Sequence, residues 1–275
     1  MDLFLDVLGF GESPRWRDSR LWFSDFILEH VASVGLDGDL RIEAELLDRP
    51  SGLGWLPDGR LLIVSMRRRM LYRREHDGRL LLHADIGGVA GFDANDMVVA
   101  ADGTAYVGNL GSDLLAGAEL RETPLAIVHP DGRVEAADEG LLVPNGSVIT
   151  PEGDMLIVGE TLGRRFTAFP IKADGSLGAS WVWADLGERS TDGCTLDSEG
   201  AIWFADGNGV ARVLQGGRIT DVIEAPEPAY ACALGGENGK TLFTLTSPGH
   251  PTRDFRPGQA HIWKVEVDYA HAGRP

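Results

Sequence analysis

The sequence predicts an all-β fold, a six-bladed β-propeller of four-stranded antiparallel blades with a metal site at its centre. Three observations point there. A short hairpin recurs six times, a second turn follows it in most units, and at a fixed offset before the hairpin stands a residue whose side chain often ends in oxygen.

The hairpins read Asp18-Ser19-Arg20-Leu21, Asp58-Gly59-Arg60-Leu61, Asp102-Gly103-Thr104-Ala105, Glu152-Gly153-Asp154-Met155, Glu199-Gly200-Ala201-Ile202 and Asn238-Gly239-Lys240-Thr241. An apolar or aromatic run follows each one, from Trp22-Phe23 to Leu242-Phe243. An acidic residue before Gly, between β-prone runs, marks a tight hairpin because Gly takes positive φ without a steric clash. Successive hairpins lie 40, 44, 50, 47 and 39 residues apart, the length of one propeller blade. The second turns are Asp37-Gly38, Asp77-Gly78, Asp131-Gly132, Asp174-Gly175 and Gly216-Gly217, so each unit holds four strands. A helical solenoid is excluded by 36 Gly, 14 Pro and the lack of a sustained 3.6-residue period. Ile262–Val267 reads as an outer strand, and Leu3–Leu8 closes the ring against this last unit, which removes exposed sheet edges. The expectation is a single domain over residues 1–275.

Composition narrows the partners. A net charge of −17 argues against nucleic acid or an anionic membrane, and suits a chain that holds a divalent cation. The basic cluster Arg67-Arg68-Arg69 with Arg73-Arg74 reads as a solvated turn between outer strands. Cys194 and Cys232 read as buried free thiols of a reducing compartment. The acidic N-terminus does not resemble a signal peptide and no stretch is long enough to span a membrane, so the expected location is cytoplasmic. The oligomeric state is left open.

Counting ten residues back from the last member of each hairpin gives Ser51, Asn95, Asn145, Asp192 and Ala231; in the first unit Glu12 lies nine back. These slots precede the innermost strands and gather at one mouth of the central channel. Glu12, Asn95, Asn145 and Asp192 then form an all-oxygen set of two carboxylates and two carboxamides, which suits Ca²⁺ first, then Mg²⁺ or Mn²⁺, with Zn²⁺ less favoured because no imidazole or thiolate occupies a slot. At any one slot the plainer reading is a turn former, as in Asn145-Gly146 and Asp192-Gly193. Ser51 is a weaker polar contact, and Ala231 cannot ligate.

At these residues the chain resembles the SMP-30/gluconolactonase/luciferin-regenerating-enzyme family of six-bladed propellers. The matching segments are Gly11–Trp16 with Leu21–Asp25, Asn95-Asp96 before Asp102-Gly103, Pro144-Asn145-Gly146, Glu160-Thr161 with Gly163-Arg164-Arg165, and Thr191–Cys194 before Asp197–Gly200. The resemblance implies a metal held by Glu12, Asn145 and Asp192, with Asn95 close by, and a lactonase that opens the ring ester of a sugar acid or similar small lactone. It also implies an Arg two residues before the third slot, contacting substrate hydroxyls. Here that residue is Asp93, which cannot donate as a guanidinium does. Asp113 falls where the family places a Glu that faces the substrate. Asn95, Asp93 and Asp113 are therefore the candidate substrate contacts.

In the expected mechanism a metal-bound lactone carbonyl is attacked by water, with Asp192 as general base and Asp96 as second candidate. There is no Gly-x-Ser-x-Gly elbow and no His-Glu-x-x-His pair. The seven His residues show no ligand spacing, and His250 borders the pocket at most. Ser112–Thr123 is a candidate lid. Two other functions compete: a non-enzymatic calcium- or ligand-binding propeller, and a metal-dependent hydrolase of a non-sugar ester or phosphotriester-like substrate.

Overall fold

The structure, a computed structural model, describes residues 1–249 and 258–272. Its strands form six four-stranded antiparallel sheets among the described residues. Blade one comprises Gly11–Arg17, Arg20–Asp25, His30–Gly35 and Leu40–Glu45, from the axis outward. The innermost strands of blades two to six are Pro50–Trp55, Ala94–Val99, Pro144–Ile149, Cys194–Leu196 and Ala229–Gly235. Each innermost strand touches that of the next blade, and blade six touches blade one, so the ring is closed. Asp2–Leu8 pairs antiparallel with Ala260–Glu266 and becomes the outermost strand of blade six. The expected closure is observed, with the chain start outside the run read as the outer strand.

The turn chemistry behaves as the spacing predicts. Gly59, Gly103, Gly153, Gly200 and Gly239 all have positive φ, and in blade one Asp18 and Ser19 take φ 51° and 59° in a two-residue turn.

The core consists of apolar layers between neighbouring sheets. Leu62, Val64, Met97 and Val107 pack between blades two and three, and Val148, Phe166, Trp183 and Phe204 between blades four and five. Leu8, Phe23, Phe243 and Ile262 fill the seam between blades six and one. Burying each such side chain contributes about 1.5–3 kcal/mol. No helix among the described residues is long and apolar enough to cross a membrane. Cys194 and Cys232 are buried and unbridged, as expected.

Two features aim the slots. Five innermost strands carry a register irregularity near their start: between Glu12 and Arg15, Pro50 and Leu53, Ala94 and Met97, Pro144 and Ser147, and Ala229 and Ala231. A bulge adds residues to one strand and re-aims their side chains. The glycines after the slots also have a different role from the expected one. Gly146 and Gly193 do not adopt positive φ. A Cβ on Gly146 would lie 2.5 Å from the Asp192 carbonyl oxygen, and one on Gly193 would lie 2.6 Å from Ala231 Cβ. These residues permit close approach of innermost strands at the axis; they are not turn formers.

Buried polar side chains fix the connections at this mouth. Asp25 accepts from the backbone N–H groups of Gly9, Phe10, Ile27 and Leu28 at 2.8–3.1 Å. Asn109 Oδ1 accepts from Gly91, Gly111 and Thr123 in blade three, and Glu160 accepts from Leu142 and Arg165 in blade four.

Candidate metal centre

Glu12 and Asp192 come from blades one and five, 180 residues apart in sequence, yet their carboxyl groups share one field at the mouth of the channel. Burial pushes the Glu12 carboxyl well above the usual range, and the charges of Asp192 and Asp96 push it further; the Ser13 N–H, 3.2 Å from Oε2, and Arg15 act the other way. Burial and the Asp96 charge raise Asp192 to about 7, against hydrogen bonds from Asn145 and the Gly193 backbone. Asn145 Nδ2 also donates to Thr161 Oγ1 at 3.2 Å. Glu12, Asn145 and Asp192 thus meet as one group.

Asp96 lies beside them but is otherwise engaged. Its Oδ1 accepts from Arg15 Nη2 at 2.7 Å, Ser13 Oγ at 2.8 Å and the Met97 N–H at 2.8 Å. Arg15 and Asp96 are each 3% exposed, and Arg15 also donates to the carbonyls of Leu53, Pro14 and Met97. A carboxylate oxygen that already accepts three hydrogen bonds, one of them from a guanidinium, is poorly placed to take a proton from water. The pair ties blades one, two and three behind the site.

Asn95 is buried on the innermost strand of blade three, immediately before Asp96. Asp93 and Asp113 form a separate group. Asp93 is raised by burial; Arg49 and Arg67 pull it down, while Asp48 and Asp113 push it up. Asp113 Oδ1 caps the short 3₁₀ turn Leu114–Ala116 by accepting from the Ala116 N–H at 3.1 Å. That turn belongs to the loop proposed as a lid, which joins the second and third strands of blade three. His250 lies outside the described residues.

Three features were not foreseen. The first is Tyr230, which lies in the irregularity one residue before Ala231, as Glu12 lies one residue early in blade one. Burial raises its phenol, and so do the charges of Asp192 and Glu12, so it stands in the same field. The second is Thr161, for which Glu160-Thr161 was a visible segment without an assigned role. The third is the division of the basic cluster. Arg67 to Arg69 form the turn at the slot mouth, whereas Arg73 and Arg74 run toward the far end, where Arg73 pairs with Glu75 at 2.6 Å.

The donors fit a hard divalent cation. A buried and a half-buried carboxylate, the second raising the pKa of the first, with carboxamides beside them, are an arrangement that one cation relieves. Among the described residues no group of three or more Asp, Glu, His or Cys side chains is arranged to hold a metal ion, so an ion here would also draw on carboxamide oxygens. Glu12, Asn145 and Asp192 could hold the ion, with Asn95 alongside.

A family model described as SMP-30/Gluconolactonase/LRE-like region matches residues 10–248. Pentonolactonase XacC of Haloferax volcanii is 26% identical over 192 residues, covering 66% of this chain and 64% of that protein. This match thus spans less than two thirds of its relative. Among solved structures, a calcium-binding protein, regucalcin, from Agrobacterium tumefaciens superposes with a TM-score of 0.80 at 22% identity, covering 98% of this chain and 94% of the other. A gluconolactonase from Xanthomonas campestris superposes with a TM-score of 0.75 at 22% identity, covering 96% and 89%. The propeller, its slot residues and a match over most of the sequence agree: the chain belongs to the SMP-30/gluconolactonase/LRE-like family.

Proposed function

We propose that this chain is a divalent-metal-dependent lactonase that opens the ring ester of a sugar-acid or other small lactone. The observation that carries the reading is the Glu12–Asp192 pair, a buried and a half-buried carboxylate brought together beside Asn145. Names borne by relatives, a pentonolactonase and a gluconolactonase, support the same chemistry.

A bound cation, Ca²⁺ by the donor set, would supply Lewis acidity at the lactone carbonyl and compensate the two carboxylates. The chain's own residues do the rest. Asp192 accepts a proton as water adds to the carbonyl carbon. The ring C–O bond then breaks, and the same carboxyl returns the proton to the departing alkoxide. Asn145 orients Asp192, Asn95 holds water or substrate, and the Arg15–Asp96 pair keeps the innermost strands in register. The phenol of Tyr230 stands in the field of the two carboxylates.

A panel of lactones, followed by acid release at constant pH with and without Ca²⁺, Mg²⁺, Mn²⁺ and Zn²⁺, tests the reading. Metal-dependent hydrolysis that excess chelator abolishes is expected; undiminished turnover in chelator rules it out. The likeness to a calcium-binding protein favours one competing function, a propeller that binds calcium without turnover. Tight Ca²⁺ binding with no lactone opened would establish that instead.

A further inference from the structure

Where the resemblance implies an arginine, blade three carries Asp93, and a guanidinium stands at the equivalent place one blade earlier. Arg49 lies two residues before Ser51, as Asp93 lies two before Asn95. Both are half-buried, and both immediately precede an innermost strand with an irregular start.

The local structure holds Arg49 in place without using its charge. Its carbonyl accepts from the Met66 N–H at 3.2 Å, and neighbouring Asp48 accepts from Ser65 Oγ and from the Arg68 N–H at 2.8 Å. Its φ is +49°, a left-handed conformation that non-glycine residues rarely adopt. Among the described residues the Arg49 guanidinium makes no side-chain hydrogen bond and no ion pair within 4.0 Å, and the same holds for the Asp93 carboxylate. The Asp93 backbone is fixed by accepting from the Leu110 N–H at 2.9 Å.

Arg49 and Asp93 thus lie within electrostatic reach of each other but not in contact, each one residue before an innermost strand, at the end of the channel where Glu12 stands on its own strand. A donor fork and a nearby acceptor that do not pair with each other are complementary to hydroxyls, which both donate and accept. An anionic ligand would meet Asp93, Asp113 and Asp48; an unsubstituted lactone would leave both charged groups unpaired, which sites built for hydroxyls reject strongly. We propose that Arg49 and Asp93 form a donor–acceptor pair across blades two and three that recognises neighbouring hydroxyls of a polyhydroxylated lactone. The guanidinium and carboxylate of the sugar site are divided between two blades. This assignment rests on the lactonase reading.

The test compares gluconolactone with δ-valerolactone, which lacks hydroxyls, on wild type, Arg49→Asn, Arg49→Lys and Asp93→Asn. Asn tolerates the left-handed backbone at position 49, and melting temperatures confirm folding. Arg49→Asn and Asp93→Asn should each raise KM for gluconolactone about tenfold or more, with kcat changed less than about threefold and KM for δ-valerolactone unchanged or lowered. Arg49→Lys should recover part of the loss. Equal effects on both lactones, or none on gluconolactone, overturn the proposal while leaving the lactonase reading intact. If wild type opens neither lactone, that reading falls, and calorimetry with a neutral polyol, sorbitol, decides the pair. Binding weakened about tenfold by Arg49→Asn supports it; unchanged binding, or none by wild type, overturns it.

Discussion

Asp192 and Asp197 lie five residues apart at opposite ends of the innermost part of blade five, and both sit among buried groups. Asp197 is fully compensated. It accepts from Arg212 Nε at 2.7 Å, Trp203 Nε1 at 3.0 Å and the N–H groups of Glu199 and Ala201 at 2.9 and 3.1 Å. Arg212 in turn stacks on Tyr269, 3.7 Å from the ring centroid, tying the chain's last described segment to blade five. Asp192 has an amide and one backbone N–H as donors, and faces Asp96 and Glu12. One carboxylate is saturated by its own protein and the other is left with capacity to spare. That contrast separates a structural charge from a ligand-binding one more clearly than burial does.

The comparison breaks first at activity. Asp192→Asn should lower turnover by about a thousandfold, since it removes both a general base and an anionic ligand. Its melting temperature should match or exceed that of metal-free wild type, measured by calorimetry. Turnover within tenfold of wild type would remove Asp192 from the chemistry.

Asp197→Ala should do the reverse. It leaves Arg212 buried without its main partner and should cost about 3–5 kcal/mol of stability in denaturant titration. Cation binding by the folded fraction should be unchanged.

Stability of the metal-free protein should fall as pH rises. A carboxyl raised in the folded state, as Asp192 is from 3.8 to about 7, binds more protons folded than unfolded between those values. Folding is therefore penalised progressively from about pH 4 to 7, and Glu12 acts in the same direction. Melting temperatures of chelated wild type should drop by several degrees between pH 5 and 8 relative to Asp192→Asn. Added Ca²⁺ should abolish the drop, and a flat profile in chelator would mean the carboxylates are not strained together.

The smallest effect concerns Tyr230→Phe, which should reduce kcat about three- to tenfold with little change in melting temperature, given a single neutral donor.

Hairpins, period and ring closure were legible because they rest on local chemistry: Asp-Gly and Glu-Gly turns declare themselves within a few residues, as at Asp58-Gly59 and Asp102-Gly103. The slots were legible only through that period, since nothing local links Glu12 to Asp192. What escaped depends on register and on cross-blade contact. Tyr230 was missed because counting lands on Ala231, whereas the irregularity between Ala229 and Ala231 gives its neighbour the position in the field. Gly146 and Gly193 carry the sequence signature of turns, yet their small size serves the next blade's backbone. Asp96 could not be told from a base until Arg15, 81 residues away, was seen to hold it.

Calorimetric titration of chelator-treated protein with Ca²⁺ at pH 6 and 8 probes the Glu12–Asp192 pair most directly. Wild type should bind one cation per chain, with proton release at pH 6 and little at pH 8, and Glu12→Gln and Asp192→Asn should lose that binding. Absence of binding by wild type to any of Ca²⁺, Mg²⁺ or Mn²⁺, or unchanged binding by both variants, would contradict a metal centre at this mouth.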